Sequence, residues 1–173
     1  MVWGKLGSTT LGSSASTMTA SGTSSVFNNI IYNTIAASSS TSNLRLGNGS
    51  ADSGSNYAVR YNTNGGTDGS GGSADRIYAA PVSVLTGEQE FVVAYACNKA
   101  GEEKLVMLWD IASEASGAGN APARREVVGK WANTSVQFDN VQSYTNSGTY
   151  ATDSNVTVLG SEGQTAVTAK IQD

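Results

Sequence analysis

Two stretches of this chain are apolar at every position rather than at every second one. They are Phe91-Val92-Val93-Ala94-Tyr95-Ala96-Cys97 and Leu105-Val106-Met107-Leu108-Trp109. Side chains of a strand point alternately to two faces, so each stretch predicts a strand that is dry on both. Such a strand lies at the centre of a sandwich or has its outer face covered by another subunit. Asn98–Glu103 between them has hairpin length and offers Gly101 for a positive φ. The pair predicts the middle of the fold, with Trp109 and Cys97 as core residues.

Elsewhere the apolar runs are short or alternating, and Gly, Asn, Ser and Asp cut them. No window keeps a helical spacing of apolar residues for three turns. Together with the two central runs, segments 26–36, 43–46, 56–61, 76–80, 125–132, 136–144, 156–160 and 166–171 predict about ten strands. Tyr57, Val59 and Tyr61 alternate with Ala58 and Arg60, which gives that strand one dry face and one wetter face. Ten short strands with turn signals between them predict an all-β fold, a β-sandwich of jelly-roll-like type. Residues 7–25 are mostly Ser, Thr, Gly and Ala, with Leu11 and Met18 as anchors. They predict a flexible, partly extended N-terminal arm over 1–25 ahead of a single sandwich domain over 26–173. Residues 47–73 have loop composition on both sides of the Tyr57–Tyr61 strand.

Composition narrows the chemistry. The chain has no histidine and a single cysteine, Cys97, inside an apolar run. This removes the usual nucleophilic triads and the donors zinc prefers, so no catalytic residue, cofactor or metal site is expected. A carboxylate pair is the remaining route to catalysis, as in glycoside hydrolysis, and Glu88, Glu90, Asp110 and Glu114 are its candidates. Carboxylates on a sandwich rim are ordinarily solvated, and the expectation is a protein that is not an enzyme. The run Asn48-x-Ser50-x-Asp52-x-Gly54-x-Asn56 loosely follows a calcium loop, but it holds one carboxylate and lacks the terminal bidentate Glu. A turn built on Asp and Gly is the favoured reading of 48–56. Trp131 and Tyr144 have polar neighbours along their strands, and core packing is preferred for both over exposure to a sugar.

With a net charge of −4 and a pI near 4.7, the chain lacks the basic face of a generic nucleic-acid binder. No apolar run reaches the ~18 residues of a membrane helix. Met1-Val2-Trp3-Gly4-Lys5 opens without the apolar core of a signal peptide, so synthesis without secretion is expected.

Four segments stand in a familiar order: "VWGKLGSTTLGS", "SGSNYAVRYNTNGG" at 53–66, "GAGNAPARREVVGKWANTS" at 117–135 and "NVTVLG" at 155–160. Together they span most of the chain, and it resembles small structural proteins carried by tailed phages and related environmental viruses. The element from Asn120 to Trp131 is the most specific. The resemblance implies a non-enzymatic virion protein made in the host cytoplasm. Its most direct form is a capsid decoration or cement protein that binds the major capsid protein or other virion proteins. The alternative is a tail or fibre module that meets host-surface glycans. The doubly apolar strands then imply a homo-oligomer, with a cyclic trimer favoured.

Asn120, Arg124, Arg125 and Lys130 are the candidate interface residues, because cations are scarce elsewhere in so weakly charged a chain. Adjacent strand residues point to opposite faces, so Arg124 and Arg125 form one patch only if the strand starts after them. An arginine fork there suits a carboxylate, either Glu126 or one on a neighbouring subunit.

Overall fold

The computed structural model describes residues 3–161, and the segment expected as a strand over 166–171 lies outside them. Among the described residues there is no helix, and the strands form two antiparallel sheets packed as a β-sandwich. The larger sheet has eight strands and the smaller five.

The two doubly apolar runs are β9 (Gln89–Cys97) and β10 (Lys104–Ala112), side by side at the centre of the large sheet. β3 (Phe27–Ile35) flanks them on one side and β11 (Ala123–Trp131) on the other. β13 (Asn155–Ser161) and β1 (Gly4–Thr10) continue beyond β3, and β6 (Tyr57–Thr63) and β7 (Gly69–Ala74) beyond β11. The small sheet holds β2 (Thr17–Ser21), β12 (Asn140–Thr145), β4 (Ser42–Asn48), β5 (Ser50–Ala51) and β8 (Ile77–Tyr78). The chain crosses between the sheets at most of its connections, so residues distant in sequence meet across the core.

Alternation decides which side chains fill that core. From the large sheet come Ile30, Tyr32, Val92, Ala94, Val106, Leu108, Val127, Trp131, Val156 and Val158. Met18, Ala20, Leu44, Leu46, Ile77 and Val141 answer from the small sheet. Burying side chains of this size contributes about 1.5–3 kcal/mol each, and this is the main stabilising force of the sandwich. The two layers are also tied by polar groups. Tyr57 of β6 reaches across the core, where its hydroxyl accepts from Leu46 N–H (3.0 Å) and lies 2.7 Å from Leu46 O as donor.

The expected N-terminal arm is built into the sandwich. β1 pairs with β13 and β2 with β12, so residues 4–10 and 17–21 supply one strand to each sheet. Threonine is β-branched and favours extended backbone, which a reading based on polarity alone overlooks. Alternation places Met18 and Ala20 inward, while Thr9 Oγ1 donates to Thr19 O (2.6 Å) and stitches the two strands together. The ladder slips by one residue between Lys5 and Gly7, where Leu6 packs over Gly160. A Cβ at Gly160 would collide with Leu6.

Two further expectations shift in detail. β8 is only two residues long within 76–80, and 136–139 precede β12 rather than belong to it. β7, with the sequence GSGGSA, came from loop composition and forms a strand because β6 supplies its ladder. Asp52 closes the 48–56 turn: its carboxylate accepts from Gly54 N–H (2.8 Å), Asn56 Nδ2 (2.8 Å) and Trp131 Nε1 (2.7 Å). Burial alone would raise its pKa, but these donors outweigh it and hold the group below the ordinary carboxylate range. Trp131 and Tyr144 are both buried.

Replacing Tyr57 by Phe deletes the tie between the layers and leaves Leu46 N–H and C=O without it. The expected loss is about 1–3 kcal/mol of unfolding free energy. It should appear as a lower urea midpoint with an unchanged slope; an unchanged midpoint would show that the tie contributes nothing.

Candidate interaction face

The outer face of the large sheet is where sequence and burial disagree with an ordinary soluble surface. On β10, Leu105, Met107, Trp109 and Ile111 point outward and are 45–59% exposed. Phe91 and Tyr95 of β9 and Val128 of β11 continue the patch, each between 43% and 52% exposed. The ladders make it contiguous: Ile111 stands opposite Phe91, Met107 lies between Tyr95 and Val128, and Leu105 opposes Cys97. Tyr95 and Trp109 meet edge to face, with ring centroids 6.3 Å apart.

With Trp3, which is 40% exposed, these side chains form one contiguous apolar surface of several hundred Å². The largest patch on a typical monomer is roughly 300–600 Å². At one end the face dips into a groove of about 490 Å³ bounded by Trp3, Phe27, Tyr95, Cys97, Leu105 and Met107.

Trp109 is therefore not a core residue, and Cys97 is a half-buried residue of this outer groove rather than of the interior. Both follow from register. The inward set of β10 is Lys104, Val106, Leu108, Asp110 and Ala112, so the odd-numbered positions face out.

Polar groups surround the apolar column. On the β11 side Arg124 pairs with Glu126 (2.5 Å), Lys130 with Glu103 (2.7 Å) and, more loosely, Arg60 with Asp68 (3.9 Å). Lys99 and Glu102 in the β9–β10 hairpin lie 3.9 Å apart. On the β3 side Asn29 stands opposite Tyr95 and Asn33 opposite Phe91, and Gln89 Nε2 donates to Asn33 Oδ1 (2.6 Å). A dry centre inside a polar rim is the anatomy of a protein–protein interface.

The four candidate interface residues separate. Arg124 and Lys130 lie on this face, at its rim. Asn120 sits beyond the strand end, where its Nδ2 donates to Ser116 O (2.8 Å) within its own loop. Arg125 turns to the other side of β11: Nε donates to Thr63 Oγ1 (3.0 Å), Nη2 to Pro81 O (3.2 Å), and the guanidinium lies over the Tyr61 ring (4.7 Å). The strand begins at Ala123, before both arginines, so they cannot share a patch. Arg125 holds the fold and is not part of the outer face.

The acids considered for catalysis part in the same way. Glu88 precedes β9, and its carboxylate caps a turn by accepting from Leu85 N–H (2.7 Å). Glu90 and Asp110 are fully buried between the sheets and stand diagonally on β9 and β10. Glu90 Oε2 accepts from Thr34 Oγ1 (2.9 Å) and from Ser42 Oγ, which links on to Tyr150 and Ser143. Glu90 Oε1 and both oxygens of Asp110 meet no protein N–H or O–H. A proton shared between the two carboxyls would serve one oxygen of each and leave the second Asp110 oxygen without a donor. Burial pushes the Asp110 pKa well up, the Glu90 charge and hydrogen bond push it further, and Arg125 opposes them. Tyr32, also buried here, is raised by burial and then by both acids. The pair is closed off from solvent, which is a structural arrangement rather than a substrate site.

No protein-family model matches the sequence, and no curated protein is significantly similar to it. Among solved structures, a mutant of the alginate lyase Aly36B in complex with an alginate tetrasaccharide is similar over 86% of this chain and 75% of its own. The TM-score is 0.36 and the identity 6%, a likeness that carries no argument about function.

Two outcomes follow from these placements. Arg125→Ala removes two hydrogen bonds and the ring contact and should lower stability by about 1–3 kcal/mol. Arg124→Ala, on the exposed rim, should change it by less than about 0.5 kcal/mol. Urea unfolding compares them, and equal losses would contradict the assignment. The folded chain also keeps a proton on Asp110 at a pH where the unfolded chain has released it. That contribution is complete below the ordinary carboxylate pKa, near 4, and is lost as pH rises through the raised value. Asp110→Asn supplies an N–H without a proton to lose, so it should flatten the decline in melting temperature from about pH 4 upward. Parallel pH profiles for parent and variant would show that the pair does not hold the proton.

Proposed function

We propose that this chain is a non-enzymatic structural protein of a virion, a capsid decoration protein that oligomerises on the capsid surface. The outer face of the large sheet carries the reading. With its polar rim it offers area on the scale of a standard protein interface, where about 800 Å² is buried per partner. On the β11 side its rim charges, Arg124 with Glu126 and Lys130 with Glu103, are already paired within the chain, so covering that edge strands no isolated charge. The resemblance of four segments to structural proteins of tailed phages supplies the setting.

The alternative, a tail or fibre module for host glycans, draws on the exposed rings of Trp109 and Tyr95. Those rings meet edge to face and are bordered by Leu105, Met107 and Ile111. Sugar sites need free hydrogen-bonding groups converging beside the stacking ring. Arg60, Asn62, Asp68 and Glu126 line a groove of about 250 Å³ beside Trp109, but Arg60 is paired with Asp68 and Glu126 with Arg124. The arrangement favours a protein partner.

Sedimentation of the purified chain with empty capsids of the virus that encodes it tests the proposal. Saturable co-sedimentation at a fixed ratio to the major capsid protein is expected. A chain that stays in the supernatant while binding immobilised host polysaccharide would overturn decoration in favour of the tail reading.

A further inference from the structure

We infer that the outer face of the large sheet is covered by a second copy of this chain, the two copies packing face to face about a two-fold axis. The inference names the occupant of the face on which the proposed function rests. Three observations carry it.

The first is area. Two such apolar faces of several hundred Å² each, joined by their polar rims, approach the ~1,600 Å² total of a standard stable interface. A smaller occupant, such as a single peptide strand, would leave much of the patch wet.

The second is charge. The whole chain carries −4, and two acidic copies meeting through an acidic surface would repel. At this face the charges nearly cancel: the four ion pairs of the rim and hairpin set four cations against four carboxylates. Lys5, outward on β1 in the cross-strand row of Tyr95 and Met107, adds one cation. The face least opposed to self-association is the one that is apolar. A strongly basic or acidic partner would instead call for an unbalanced rim.

The third is shape. Outward residues of β9, β10 and β11 are regular ladder positions with no bulge between them. Two such sheet faces pack about 10 Å apart with their strands roughly 30° from parallel. One flat face that meets its own copy makes an isologous contact, and that closes as a pair. A cyclic trimer needs two different complementary surfaces, so the geometry points to a pair rather than the three-fold assembly expected from the sequence.

The test is sedimentation equilibrium of the full chain from about 1 to about 100 µM, a range chosen because interfaces of this area bind at micromolar affinity or tighter. A monomer–dimer equilibrium is expected. Met107→Glu, at the middle of the face, should raise the dissociation constant at least about 30-fold. Thr17→Glu, exposed on the small sheet, should leave it unchanged. Met107 is half-exposed, so the variant should melt at or above the temperature of the dissociated parent, which separates lost association from lost folding. A chain monomeric throughout the range, a trimer, or a dimer indifferent to Met107→Glu overturns the inference. Because no particle is present, failure here is distinct from failure to bind capsids, and either can occur without the other.

Discussion

Eight hydrogen-bonded strands make a sheet with two broad faces, and among the described residues one smaller sheet covers one of them. Everything else in the molecule follows from that imbalance. Side chains alternate along β10, so the strand that drives Val106 and Leu108 into the core must also drive Met107 and Trp109 out of it. A sequence polar at those outward positions would have made a self-sufficient sandwich. Here Leu, Met, Trp and Ile occupy them, and their exposure costs the isolated chain the burial that a neighbour would provide.

The central strands were legible because their residues are β-branched or aromatic and bounded by turn residues. Hydrophobic pattern also showed that β9 and β10 are dry on both sides, which is the root of the candidate face. It could not say which alternate set faces inward, since both are apolar. A place in a doubly apolar run predicts Trp109 and Cys97 as core residues, and the register turns both outward. Polar residues decide the register: Glu90 and Asp110 go inward to meet each other, together with Lys104, whose Nζ donates to Asn133 O (2.9 Å). The strands of 4–10 and 17–21 were hidden because Ser and Thr read as loop, although one alternating face of β2 carries Met18 and Ala20.

Arginine 125 shows the same logic at finer scale. Its neighbour Arg124 faces out to Glu126, and Arg125 is directed by the pleat towards Asp110 on the adjoining strand. It does not pair with that acid; its donors go to Thr63 and Pro81. Asp110 is left to Glu90, and burial beside that acid pushes its carboxyl well above the ordinary range. Burying one neutral acid beside one carboxylate is far less costly than burying two charges. The pair occupies the end of the sandwich where the main apolar cluster gives way to the small one formed by Ala36, Val84, Ala112 and Ala123.

The central claim is that the outer face is covered when the protein is assembled, and the chain carries its own reporter. Met107 lies at the centre of the face and is half-exposed, while Met18 is buried in the core. Thioether oxidation tracks exposure, so mass spectrometry after mild peroxide treatment reads the two sites separately. The account predicts rapid oxidation of Met107 in dilute protein, strong protection of it in concentrated protein or on particles, and slow oxidation of Met18 throughout. Equal oxidation of Met107 in dilute and assembled protein would contradict it.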